Sequence, residues 1–197
     1  MIKSIALFCG SSEGTLPIYG EVAAQLGAMC ADKGMTLYYG GACLGLMNKA
    51  AQAAMARKGR VVGIAPAFFS KEIVLAKDIS ELILVESMSE RKQMMEKLAD
   101  AFVVLPGAYG TMDEFFELIT DAQLGLHHKP VAVLNVNGYY DHLLAQLDRF
   151  KHDGFLREFH HGLLVVANTL DELFAKLDSY ENPNDPQWLE KIKEKKG

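Results

Sequence analysis

The stretch Ala101-Phe102-Val103-Val104-Leu105-Pro106-Gly107-Ala108-Tyr109-Gly110-Thr111-Met112-Asp113-Glu114 decides the class of this chain. Its first five residues are apolar and read as a strand. Pro106 to Gly110 read as a turn, and Phe115 to Leu124 carries a helical pattern. A strand, a glycine turn and a helix start are how α/β proteins grip a phosphate. Small residues let the backbone approach the anion, and the helix N-terminus offers unpaired N–H groups and a positive dipole end. Thr111 adds a hydroxyl here, and Asp113 and Glu114 add two carboxylates. The combination points to a phosphorylated substrate with chemistry beside it.

Outward from this stretch, short apolar runs alternate with longer helical patterns. Strands are expected at Ile2–Cys9, Met35–Tyr39, Arg60–Ala65, Leu82–Glu86, Ala101–Leu105, Pro130–Val136 and Leu163–Val166. Helices are expected at Tyr19–Lys33, Leu44–Arg57, Ser89–Leu98, Phe115–Leu124, Tyr139–Lys151 and Leu170–Leu177. Several strands are apolar without alternation, which suits a parallel sheet covered on both faces. The expected fold is therefore a doubly wound, Rossmann-like α/β sheet, mostly parallel, with helices on both faces. Residues 1–180 are expected to form one domain, with 181–197 as a C-terminal arm or short helix. Residues 67–81 are irregular and partly charged, a candidate substrate-covering loop.

Composition narrows the function classes. A net charge of −5 gives no basic surface for nucleic acid. No apolar run approaches the ~20 residues of a membrane helix. Cys9, Cys30 and Cys43 lack metal-like spacing, and their odd number without a leader peptide suggests a reducing cytoplasm. His127-His128 and His160-His161 are adjacent pairs, an arrangement that rarely ligates one metal. No metal site is expected.

Three small-residue turns end strands: Gly10-Ser11-Ser12, Gly40-Gly41-Ala42 and Pro106 to Thr111. In open α/β sheets, ligands bind outside the carboxyl ends of the strands. The three turns are expected to converge on one pocket. The third is not G-x-G-x-x-G, since Gly107 and Gly110 are three apart, and no Gly-Lys-Ser/Thr follows as in a P-loop. Thr111 to Glu114 also matches a capping box, as do Ser87 to Glu90 and Thr169 to Glu172. Glu114 thus reads equally as a helix cap or a chemical group. Arg91 and Lys92 fall in the first turns of a predicted helix, where the dipole disfavours cations. They read as a solvated pair or as ligands of an anion.

These residues together resemble a known family. The chain is similar to the Lonely Guy family of cytokinin-riboside 5′-monophosphate phosphoribohydrolases, whose members are often labelled lysine decarboxylases. The likeness runs from Phe8-Cys9-Gly10-Ser11-Ser12 to about Leu177. It takes in Tyr39-Gly40-Gly41-Ala42, Met88-Ser89-Glu90-Arg91-Lys92, the Pro106 to Glu114 run, and Leu134-Asn135-Val136 with Gly138-Tyr139-Tyr140. The family signature reads P-G-G-x-G-T-x-x-E.

The resemblance implies hydrolysis of the N-glycosidic bond of nucleoside 5′-monophosphates by Arg91 and Glu114, without metal or organic cofactor. It implies phosphate binding by Gly107, Ala108, Tyr109, Gly110 and Thr111, helped by Gly10, Ser11, Gly40 and Gly41. It further implies substrate contacts at Lys92, Thr120 and Glu72, and a homodimer with the pocket near the subunit interface. Two departures stand out. Ala108 replaces the second signature glycine, and Ala42 replaces the third glycine of the Tyr-Gly-Gly-Gly turn. A methyl at either place is expected to crowd the phosphate or oppose a positive φ. Alanine is the smallest such change, so binding is expected to persist with altered affinity or preference. The rival readings are a non-catalytic nucleotide sensor or carrier and a pyridoxal-phosphate decarboxylase. The second needs a Schiff-base lysine against a pyridinium partner, and no residue pattern marks one.

Overall fold

The structure, a computed structural model, describes residues 2–69 and 75–183. Glu72, part of the candidate covering loop and most of the C-terminal arm lie outside the described residues. Seven strands form one sheet: β1 (Ser4–Phe8), β2 (Thr36–Tyr39), β3 (Val61–Pro66), β4 (Glu81–Val85), β5 (Ala101–Val104), β6 (Val131–Leu134) and β7 (Leu164–Ala167). Their order is β4-β3-β2-β1-β5-β6-β7 and every pairing is parallel. Among the described residues, seven α-helices connect or follow them: α1 (Pro17–Asp32), α2 (Gly45–Ala56), α3 (Met88–Leu98), α4 (Tyr109–Leu124), α5 (Asp141–His152), α6 (Glu158–His161) and α7 (Leu170–Asp178). The four-residue α6 was not legible as a helix in the sequence.

The unalternating strands are explained by the two cores. Ile5, Leu7 and Cys9 face α1, α2 and α7. Ala6 and Phe8, the intervening residues, face α3, α4 and α5. A period-two strand must be apolar throughout when both faces are covered. On the first face, α1 and α2 approach closely. A Cβ on Gly27 of α1 would stand 2.0 Å from the Ala50 carbonyl oxygen of α2. Only glycine permits this approach.

Chain direction from β1 runs one way to β2, β3 and β4, and the other way to β5, β6 and β7. The crevice between β1 and β5 is the topological switch point, where such sheets bind ligands. All three small-residue turns lie at this end.

Candidate active site

The turns are tied backbone to backbone. The Gly10 N–H donates to the Pro106 carbonyl at 2.9 Å, and the Gly10 carbonyl accepts the Leu46 N–H at 3.1 Å. Gly45, at φ 59°, packs so tightly on the first turn that a Cβ would meet the Ser11 carbonyl carbon at 2.3 Å. Above these turns opens a cleft of about 510 Å³. It is lined by Gly10, Ser11, Gly40, Arg91, Gly107, Ala108, Gly110, Thr111 and Glu114, among others. The convergence expected from topology is therefore realised.

Arg91 and Glu114 meet in its floor. Arg91 leaves the first turn of α3 and is 7% exposed, and Glu114 leaves α4 and is 6% exposed. Arg91 Nη1 donates to Glu114 Oε1 at 2.8 Å, and Arg91 Nε donates to the Ile64 carbonyl at 3.2 Å. The reading of Arg91 as a solvated surface cation is overturned. A Cβ on Gly40 would stand 2.4 Å from Arg91 Nη2, so glycine is needed there to seat the guanidinium. Burial raises the Glu114 carboxyl above the ordinary glutamate range, with the Arg91 charge and hydrogen bond pulling it back. A buried carboxyl with a raised pKa is suited to exchange protons and, once ionised, to face a developing cation.

The capping box expected at Thr111–Glu114 does not form. Helix α4 begins three residues earlier than that box requires, with Ala108 as N-cap and no side-chain cap. The other two boxes do form, Glu90 N–H to Ser87 Oγ at 3.1 Å and Glu172 N–H to Thr169 Oγ1 at 3.2 Å. At α4 the sequence signal failed because Tyr109 and Gly110 extend the helix, which frees Glu114 for Arg91. The first four N–H groups of a helix lack intrahelical acceptors, so the uncapped start leaves donors facing the cleft. Thr111, 4% exposed, packs under Gly107, where a Cβ would meet its Oγ1 at 2.1 Å. A Cβ on Gly110, by contrast, would meet nothing within 4 Å.

The family model described as "Possible lysine decarboxylase" matches residues 47–177. "Cytokinin riboside 5'-monophosphate phosphoribohydrolase LOG5" of Arabidopsis thaliana is 39% identical over 183 residues, 93% of this chain and 80% of that one. LOG7 of the same plant, with the same description, is 41% identical over 179 residues, 91% of this chain and 82% of that one. The chain belongs to the Lonely Guy family. Among solved structures, the molybdenum cofactor binding protein from Rippkaea orientalis matches this Lonely Guy chain with TM-score 0.70 at 21% identity. The match covers 91% of this chain and 97% of that one, and it speaks to the fold alone.

Not every residue implied by the Lonely Guy resemblance reaches the cleft. Lys92 points away from it, ion-paired with Asp113 at 2.9 Å and with Glu117. Those pairs raise its ammonium above the ordinary lysine value, the Glu117 hydrogen bond most. Tyr109 is 95% exposed and projects outward. Thr120 lines an outer groove with Phe116, Ile119, Leu147 and Phe150. Neither departure from the signature forces a left-handed backbone: Ala108 has φ −109°, and Ala42 is not among the residues with positive φ. Of the two expected effects of the methyl groups, the opposed φ is therefore absent.

The cleft also gathers residues to which the sequence reading gave no role in the site: Cys9, Tyr19, Met47, Met88 and Tyr139. Burial and the nearby Glu114 charge push the Cys9 thiol up, so it stays a neutral packing group. Apolar residues and tyrosines at strand ends look like core until topology shows which end they occupy.

Proposed function

We propose that this chain hydrolyses the N-glycosidic bond of nucleoside 5′-monophosphates, releasing a free base and ribose 5-phosphate, with N6-modified adenine nucleotides of the cytokinin type among its substrates. The carrying observation is the buried Arg91–Glu114 pair beside an uncapped helix start with open space over Gly110. The names of the relatives, at about two-fifths identity over most of the chain, support the same reading.

The geometry supports the following roles on this reading. Backbone N–H groups at Ala108, Gly110 and Thr111 hold the phosphate. That anchor sets C1′ of the ribose against Glu114, and positioning of this kind removes much of the entropic barrier. The C1′–N bond breaks with its electron pair leaving on the base, and the ribose becomes oxocarbenium-like. Glu114 faces that positive charge and accepts a proton from the water whose oxygen bonds to C1′; that proton passes on to the departing base, which leaves neutral and returns Glu114 to its ionised form. Arg91 keeps Glu114 ionised and oriented, and its forked donors reach anionic or hydroxyl groups of the substrate. No lysine lines the cleft among the described residues, which argues against a Schiff-base decarboxylase. The protein works in the cytoplasm as a homodimer on this reading. The exposed side of α4, with Tyr109 and Phe116, supplies a surface for a second copy near the cleft.

The test is direct. The pure protein is incubated with AMP and with its N6-isopentenyl analogue, and released base is measured by chromatography. Base release from either supports the proposal. AMP binding by calorimetry without base release from any nucleotide would leave a carrier instead.

A further inference from the structure

The chain bends sharply between β6 and α5. Asn137 has φ 52°, and Gly138 follows at 69°. Asparagine tolerates this left-handed region better than other side-chain-bearing residues, and neighbouring hydrogen bonds fix the bend. Asn135 Oδ1 accepts the Tyr140 N–H at 2.7 Å, and Asn135 Nδ2 donates to Asp141 Oδ1 at 2.7 Å. A Cβ on Gly138 would stand 2.6 Å from Asp141 Oδ2. The bend aims two adjacent phenols at the turn after β5. Tyr140 OH donates to the Leu105 carbonyl at 2.7 Å, and Tyr139 OH donates to the Gly107 carbonyl at 2.7 Å. Tyr140 is buried, whereas Tyr139 stands in the cleft wall, edge-on to Tyr19 at 5.8 Å.

Both hydroxyls take carbonyls of one turn. A trans peptide is planar, so the Gly107 carbonyl and the Ala108 N–H lie on opposite edges of one plane. Glycine offers little resistance to rotation of that plane. A rotated peptide would present a carbonyl oxygen, a negative dipole end, where an anion is to sit. We propose that Tyr139 is a latch that holds the Gly107–Ala108 peptide in its anion-accepting orientation, with Tyr140 anchoring the same turn from beneath. Tyr139 is a positioning residue: it acts on the phosphate through the backbone of the turn. This rests on the reading of that turn as the phosphate seat.

Tyr139→Phe keeps the ring and removes the hydroxyl. Affinities for AMP and adenosine are measured by calorimetry, inorganic phosphate is tested as a competitor, and kcat and KM are measured for base release. AMP affinity is expected to fall three- to tenfold, about the worth of one hydrogen bond. Phosphate should compete correspondingly less well, adenosine affinity should hold, and the loss should appear in KM with kcat kept. Equal losses for AMP and adenosine would overturn the latch, because the ring wall and not the phosphate seat would then be disturbed. Unchanged AMP affinity would overturn it as well. A wild-type protein that neither binds AMP nor releases base fails in a different arm, and sinks the phosphoribohydrolase reading together with the latch.

Discussion

Arg91 Nη1 and Glu114 Oε1 stand 2.8 Å apart although their residues are 23 positions apart and on different helices. Both side chains are less than a tenth exposed. Such a pair is strongly disturbed when one partner is removed, because a buried charge is left alone. Its presence at a cleft floor, beside a free helix start, is the relationship on which the proposed chemistry rests.

Glu114→Gln keeps the shape of the side chain and an oxygen to accept from Arg91. Base release should fall by about 10²- to 10⁴-fold, the usual worth of a positioned proton-transfer group. The circular dichroism spectrum should not change. Full activity in the variant would remove Glu114 from the mechanism.

The pH dependence follows from the same carboxyl. Its folded pKa lies above the unfolded one, chiefly through burial. Such a group contributes stability that is present below the unfolded pKa and lost as pH rises through the folded pKa. Activity needs the ionised form, so kcat/KM should rise across that window while this share of stability declines. Glu114→Gln should flatten both trends. Arg91→Met removes the charge that favours the carboxylate, so an NMR titration of Glu114 should move to higher pH. A titration that moves lower would contradict the assigned electrostatics.

Two glycines should behave in opposite ways. Gly40→Ala drives a methyl into Arg91 and Met47, 2.4 Å from Nη2 and 2.9 Å from Sδ. It should cost about 1–3 kcal/mol in denaturant unfolding and much of the activity. Gly110→Ala meets nothing inside the chain and sits in a helix, so stability should rise by about 0.5–1 kcal/mol. Its AMP affinity should still drop about tenfold, because a bound phosphate occupies that space. If Gly110→Ala binds AMP normally, the phosphate seat lies elsewhere.

Lys92→Met tests whether this ammonium touches substrate. It leaves Asp113 and Glu117 without their shared cation on the outer side of α4. Melting should reveal a loss of about 1 kcal/mol, the scale of a partly exposed ion pair. KM for AMP should change less than threefold. A large rise in KM with unchanged stability would restore Lys92 to the substrate.

The sheet was readable because a doubly covered strand must be apolar on both sides, as Ile5 to Phe8 are. The meeting of Arg91 and Glu114 was readable only through the family signature, since nothing local pairs residues on separate helices. The start of α4 was misread for a physical reason: side-chain capping is the commonest local solution, and this helix leaves its first N–H groups to the cleft. Tyr139 entered only as part of the family likeness, with no role attached, because its role depends on a bend at Asn137 that places it beside a turn 32 residues away.

Gly10 links all three turns, giving its N–H to the third and its carbonyl to the start of α2 behind the second. The turns behind the cleft are thus joined to one another through main-chain hydrogen bonds. The side chains of Leu44 and Met88 on the walls make none of these main-chain bonds and can be exchanged without breaking them. New base preferences could arise in this scaffold by wall substitutions alone, which makes it a good starting point for selecting altered nucleotide specificity.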